Sequence, residues 1–261
     1  MKATRTSLDI TLAVWKALFL REAVTRISKN RTAWVWLFLE PVYQIAWLIV
    51  LHTIVRMRIV NGMGTVIWIL VGLLAFYMFK RPAQQSMNAV NANEALFNFR
   101  QVKPVDTVLV RAAIEGFLTI ILAIVCFCFA GLIGIDVIPA DPLTVLVAFF
   151  GMWLAGLGFG LLTSVITELV PEAGHVLEIA MTPLYIISGV IFPLGVVPEP
   201  YRSWLLLNPL IHGLECVRLA YVPYYDVLPG MSLVYLYIMS LVAIFLGLAL
   251  HYRFEERLVM Q

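Results

Sequence analysis

The chain has 261 residues, 62% hydrophobic and 13% charged, with a formal charge of +2 and a mean hydropathy of +0.92. A soluble domain carries about 25% charged residues, so this composition excludes an ordinary water-facing surface. The net charge says little, and the positions of the charges say more.

Residues 1–31 read as a separate helix, not a span. Leu8, Leu12, Trp15 and Phe19 follow a 4-3-4 spacing that puts them on one helical side, with Lys16, Arg21 and Arg26 nearby. Such a helix lies in the membrane interface with its bases near anionic head groups. A basic tail without a fixed position is the other reading.

Six apolar segments follow: Ala33–Val55, Met63–Phe79, Asp106–Ile135, Pro142–Thr167, His175–Val197 and Met231–Tyr252. Each is near the roughly 20 residues that cross a hydrocarbon core of about 30 Å. The first holds Glu40-Pro41, where proline removes a backbone hydrogen bond and invites a kink. Trp36, Glu40, Tyr43 and Trp47 form one stripe that, extended outward, reaches Arg58. Ionisable groups at this depth usually face protein or water, so the stripe is expected to face inward. It fits a ring-lined tunnel and helix packing equally.

The second segment ends at Lys80-Arg81-Pro82, and Gln84–Asn93 reads as a further helix. The loop from Leu96 to Asp106 carries apolar residues with no evident core of their own, which suggests a docking surface. In the third segment Arg111 and Glu115 stand four apart, in reach of an ion pair. Gly156 and Gly160 in the fourth form a small-xxx-small pattern that allows close helix approach. Pro183 and Pro193 interrupt the fifth. Residues 198–230 are aromatic-rich and cut by prolines, and neither half is long enough to cross. Two short re-entrant helices turning at Asn208-Pro209 fit this stretch, and so does an external loop lying on the membrane. Residues 32–254 thus read as one membrane domain and 255–261 as a tail.

Of the 18 bases, fourteen flank connections on one side and four, Arg56, Arg58, Arg202 and Arg218, lie on the other. The positive-inside rule places the fourteen, and with them both termini, in the cytoplasm. No cleavable signal peptide is expected, because the first apolar run starts late. Cys126, Cys128 and Cys216 make no disulfide framework. No phosphate-binding loop, metal-ligand spacing or nucleophile elbow occurs, and His52, His175, His212 and His251 are scattered. A cofactor in this chain, a catalytic or metal site and a nucleic-acid partner are therefore not expected.

The order of these features resembles the type-2 ABC exporter permeases. Leu96-Phe97-Asn98-Phe99-Arg100-Gln101-Val102-Lys103-Pro104-Val105-Asp106 looks like the polysaccharide-export branch, and within it the capsule permeases of the KpsM type. The runs Trp36-Leu37-Phe38-Leu39-Glu40-Pro41 and Ser188-Gly189-Val190-Ile191-Phe192-Pro193 look similar to the same branch. The resemblance implies an all-α membrane protein of six transmembrane helices that pairs with a second copy. It implies two copies of a separate ABC ATPase, which hold ATP and magnesium. It implies export of lipid-linked acidic capsular polysaccharide across the inner membrane, continued by a periplasmic adaptor and an outer-membrane channel. Carried onto this chain, Leu96, Phe97, Asn98, Phe99 and Arg100 would contact the ATPase, as would Glu168, Pro171 and Glu172. Trp36, Glu40, Tyr43, Trp47 and Arg58 would line the path, and Lys80, Arg81 and Lys103 its entrance. Tyr201, Trp204 and Tyr224 would shape the exit. Another cargo (O-antigen, teichoic acid or a small drug) is the first rival. An ATPase-independent channel or carrier has only Glu40, Glu115 and Glu178 to work with.

Overall fold

A computed structural model of the chain describes residues 7–28, 33–54, 59–99 and 101–259. Almost all of it is helix: α1 Ser7–Ser28, α2 Ala33–Ile54, α3 Thr65–Met87, α4 Pro104–Leu132, α5 Pro142–Leu169, α6 Pro171–Ile187, α7 Tyr201–Leu205, α8 Pro209–Tyr221, α9 Leu233–Arg253 and α10 Glu255–Val259. Helices α3, α4, α5 and α9 are long and apolar enough to cross a membrane.

Local chemistry sets the helix starts. Proline opens α4, α5, α6 and α8 at the first turn, where its missing N–H costs nothing. Asp141 caps α5 by accepting from the Thr144 backbone and hydroxyl at 3.2 and 2.6 Å. These bonds hold its carboxyl below the usual range. Asn208 caps α8 by accepting from Leu210 N at 3.1 Å. An Asn61-Gly62 turn joins the two-residue strands β1 Ile59–Val60 and β2 Met63–Gly64 in an antiparallel hairpin.

Helix α3 is the axis of the bundle. From Trp68 to Phe79 it is buried on every side, and it packs against α2, α4, α5, α6 and α8. Close backbone approach makes this possible. A Cβ on Gly156 of α5 would lie 2.5 Å from the Phe79 carbonyl oxygen, and one on Gly160 would lie 2.5 Å from the Ser86 Cβ. Gly158 turns the other way and meets Ser240, Ala243 and Ile244 of α9.

Several expectations change. The second segment does not end at Pro82. Helix α3 runs through it to Met87, because Pro82 and Ser86 are held against Gly160 of α5 and Arg81 and Ala83 are buried. The separate helix expected at Gln84–Asn93 is therefore the end of α3 followed by a 3-10 turn at Asn91–Leu96. The fifth segment starts earlier and stops ten residues sooner, at Ile187, and the chain leaves the helix through Ser188 and Gly189. Arg111 does not turn to Glu115. Its partner is Glu22 of α1, 3.0 Å away. Within the stretch read as a tail, Glu255–Val259 forms α10 and buries Leu258 among Val90, Phe97 and Val108.

Candidate functional site

Three groups of side chains stand out. The first joins α2 to α3. Tyr77 donates to Gln44 at 2.9 Å and lies 3.3 Å from Glu40, while Lys80 pairs with Glu40 at 3.6 Å. Lys80 and Arg81 both sit over the Tyr77 ring, at 5.4 and 5.7 Å. The structure thus brings Glu40 of the expected path together with two bases of the expected entrance. Tyr43 and Trp47, one and two turns on, are 66% and 54% exposed. They stand on a side of α2 that this chain by itself leaves uncovered. The side chain of Trp36, and Arg58 altogether, lie outside the described residues. The third entrance base, Lys103, is drawn to Glu255 at 3.2 Å on α10.

The second group lies at the α1 end of the bundle. The connection from α3 to α4 does have a core to enter, contrary to expectation. Phe97 is only 6% exposed and packs on Ala89, Val90, Val108 and Ala112, whereas Phe99 is 64% exposed. Leu96 is half-buried against Leu18 and Val110. Asn98 is exposed, and Arg100 lies outside the described residues. Pro171 and Glu172 are exposed at the α5–α6 junction, and Glu168 is close enough to Glu94 to feel its charge. The two stretches expected to meet an ATPase are therefore neighbours. Helix α1 is fastened to the same end. Trp15 Nε1 donates to Asp106 Oδ1 at 2.7 Å, Arg21 donates to Asn93, and Glu22 holds Arg111. Asp106 also accepts from Lys103 N at 3.0 Å, so one buried carboxylate ties α1 to the first turn of α4.

The third group was not foreseen. Arg218 on α8 is fully buried and pairs with Glu215 at 2.8 Å. Its Nη1 also donates to the Gly189 carbonyl at 2.9 Å. The face of the guanidinium lies 3.8 Å from the Trp68 ring centroid, and among the described residues its Nε and Nη2 have no hydrogen-bond partner. Tyr225 donates to Glu215 at 3.1 Å and accepts from Trp68 Nε1 at 3.2 Å. Gly72 makes room, since a Cβ there would meet Nη2 at 2.3 Å. This network binds α3, α8, the end of α6 and the loop after α8. A Glu-x-x-Arg pair inside a short apolar helix was the available signal. Nearby Tyr201, Trp204 and Tyr224 are all exposed. His212 accepts from Ser232 N at 3.1 Å and contacts the Leu206 carbonyl at 2.8 Å, so both ring nitrogens serve structure. Among the described residues no cluster of His, Cys, Asp and Glu could hold a metal.

This architecture, long apolar helices around a buried axis with polar groups at both ends, defines a helical membrane protein. The ABC-2 type transporter family pattern matches residues 13–222, and the chain belongs to that family. It is 34% identical over 255 residues, 98% of both chains, to the polysialic acid transport protein KpsM of Escherichia coli. It is 29% identical to the capsule polysaccharide export inner-membrane protein CtrC of Neisseria meningitidis serogroup A, covering 96% of this chain and 94% of that one. The inner-membrane capsule export protein BexB of Haemophilus influenzae is 26% identical, with 82% and 81% covered.

Proposed function

We propose that this chain is the permease subunit of an ATP-driven exporter that moves lipid-linked acidic capsular polysaccharide from cytoplasm to periplasm. One observation carries the reading: exposed Tyr43 and Trp47 stand one and two turns along α2 from the Glu40 that Lys80 of α3 pairs with, in a chain whose near-full-length relatives bear capsule-export names. Aromatic faces hold the apolar C–H faces of sugars weakly enough to let a glycan slide.

Tyr43 and Trp47 are left uncovered by their own chain, which favours a second copy to close the tunnel. Six spans then come from α2 to α6 and α9, with α6, at 17 residues, about 26 Å long. An even count and the fourteen-to-four division of bases favour both termini in the cytoplasm. The re-entrant reading of 198–230 is supported by α8, which runs from the level of Met152 beside Gly213 to the level of Asp141 beside Ala220. Two copies of a separate ABC ATPase, holding ATP and magnesium, dock on Asn98, Phe99, Pro171 and Glu172. A periplasmic adaptor and an outer-membrane channel continue the route. Differential nucleotide affinity of the two ATPase states drives rigid-body movement of the helices.

The test is co-purification with the candidate ATPase and glycan-stimulated ATP hydrolysis in lipid. Phe99→Asp is expected to insert normally and bind the ATPase about 30-fold more weakly, a loss of about 2 kcal/mol at an exposed hot spot. Phe97→Asp, by contrast, buries a charge and is expected to cost at least about 3 kcal/mol of stability. ATPase capture at wild-type strength by Phe99→Asp would overturn the docking assignment.

A further inference from the structure

Between α1 and the α4–α5 pair lies an open cleft of about 610 Å³, a size ordinary for a small-molecule site. Its walls are Trp15, Phe19, Val110, Ala113, Trp153 and Leu157. The polar atoms of the two indoles are used elsewhere: Trp15 Nε1 donates to Asp106, and Trp153 Nε1 donates to the Ala112 carbonyl at 2.9 Å. Only ring surface is left for the cleft. Water there would lack the two to four polar partners that hold it in place. The occupant must therefore be apolar over most of its length.

The rim carries one charge. Lys16 lines the cleft, and among the described residues it has no carboxylate partner. The α4 wall of the cleft runs from Leu109 to Ala113, about 7 to 14 Å along the helix from Pro104. Counted from that first turn, the outer part of the cleft matches the depth to which an interfacial helix sinks, at the boundary of head groups and acyl chains. An apolar slot with a lone cation at its mouth matches a chain with an anionic head.

We propose that this cleft is a binding site for one anionic glycerophospholipid of the bilayer, with an acyl chain against Trp15 and Trp153 and its phosphate at Lys16. A lipid held there comes from the surrounding bilayer. It fills the space beneath α1 and braces the helix that Trp15, Arg21 and Glu22 fasten to the start of α4.

The test uses the full chain, delipidated in detergent and titrated with phosphatidylglycerol or phosphatidylcholine under native mass spectrometry. One phosphatidylglycerol is expected per chain, held at least tenfold more tightly than phosphatidylcholine. Ala113→Phe, which puts a ring into the cleft from its α4 wall, and Lys16→Glu, which reverses its charge, should each weaken retention tenfold or more. Phe245→Ala on the outer side of α9 should leave it unchanged. If Ala113→Phe does not fold, Lys16→Glu decides alone. Equal binding of the two lipids, no retained lipid, or wild-type retention by Lys16→Glu would overturn the assignment. No ATPase or glycan is present, so the outcome is independent of the export reading.

Discussion

Arg218→Met is expected to destabilise the folded chain by about 3–5 kcal/mol, the usual consequence of removing one partner of a buried ion pair. Glu215 is 2% exposed and would be left as an uncompensated carboxylate whose only remaining donor among those described is Tyr225. Glu215→Gln alone should be damaging for the mirror-image reason, because it strands the guanidinium over Trp68. The double variant Glu215→Gln with Arg218→Met is expected to recover most of the loss. It removes both charges and keeps a carbonyl acceptor for Tyr225. Thermal unfolding in detergent and the yield of monodisperse protein provide the readout. A single variant as stable as wild type would mean that the pair is not buried in the membrane-embedded protein. The pair joins α3, α8 and the end of α6, so its loss should loosen the segment assigned to the exit before it disturbs α4 or α5.

Gly156→Val should be nearly as harmful, by about 3 kcal/mol, at the upper end of overpacking penalties. Its first added carbon would meet the Phe79 carbonyl oxygen at 2.5 Å, with the Phe79 carbonyl carbon and Cα at 3.2 Å. Those are backbone atoms of the most enclosed helix, and no rotamer change moves them aside. Helices α3 and α5 must then separate, and the van der Waals contact that holds helices together in lipid is lost along the seam. Gly195→Ala is the control. A Cβ there meets nothing within 4 Å, so its effect should stay within about 0.5 kcal/mol. Equal unfolding temperatures for the two variants would remove the seam from the account.

The sequence alone was enough for the helices and most of their ends. Composition, apolar run length and proline at the first turn are local quantities, and α4, α5 and α9 begin and end within a few residues of expectation. The Asn208-Pro209 break and the small-residue pattern of α5 were legible for the same reason. The tertiary structure alone decided which way the side chains face. In water, apolar means inward; in lipid, an apolar side chain is equally at home against a neighbouring helix or an acyl chain. The 3.6-residue period therefore marks faces without saying which is covered. It could not separate Phe97 from Phe99, leave Tyr43 and Trp47 uncovered by their own chain, give Arg111 to Glu22 instead of Glu115, or carry α3 past Pro82. Nor could it bury Arg218 over Trp68, 150 residues away in the chain. Those outcomes depend on contacts between distant segments, and no local pattern encodes them.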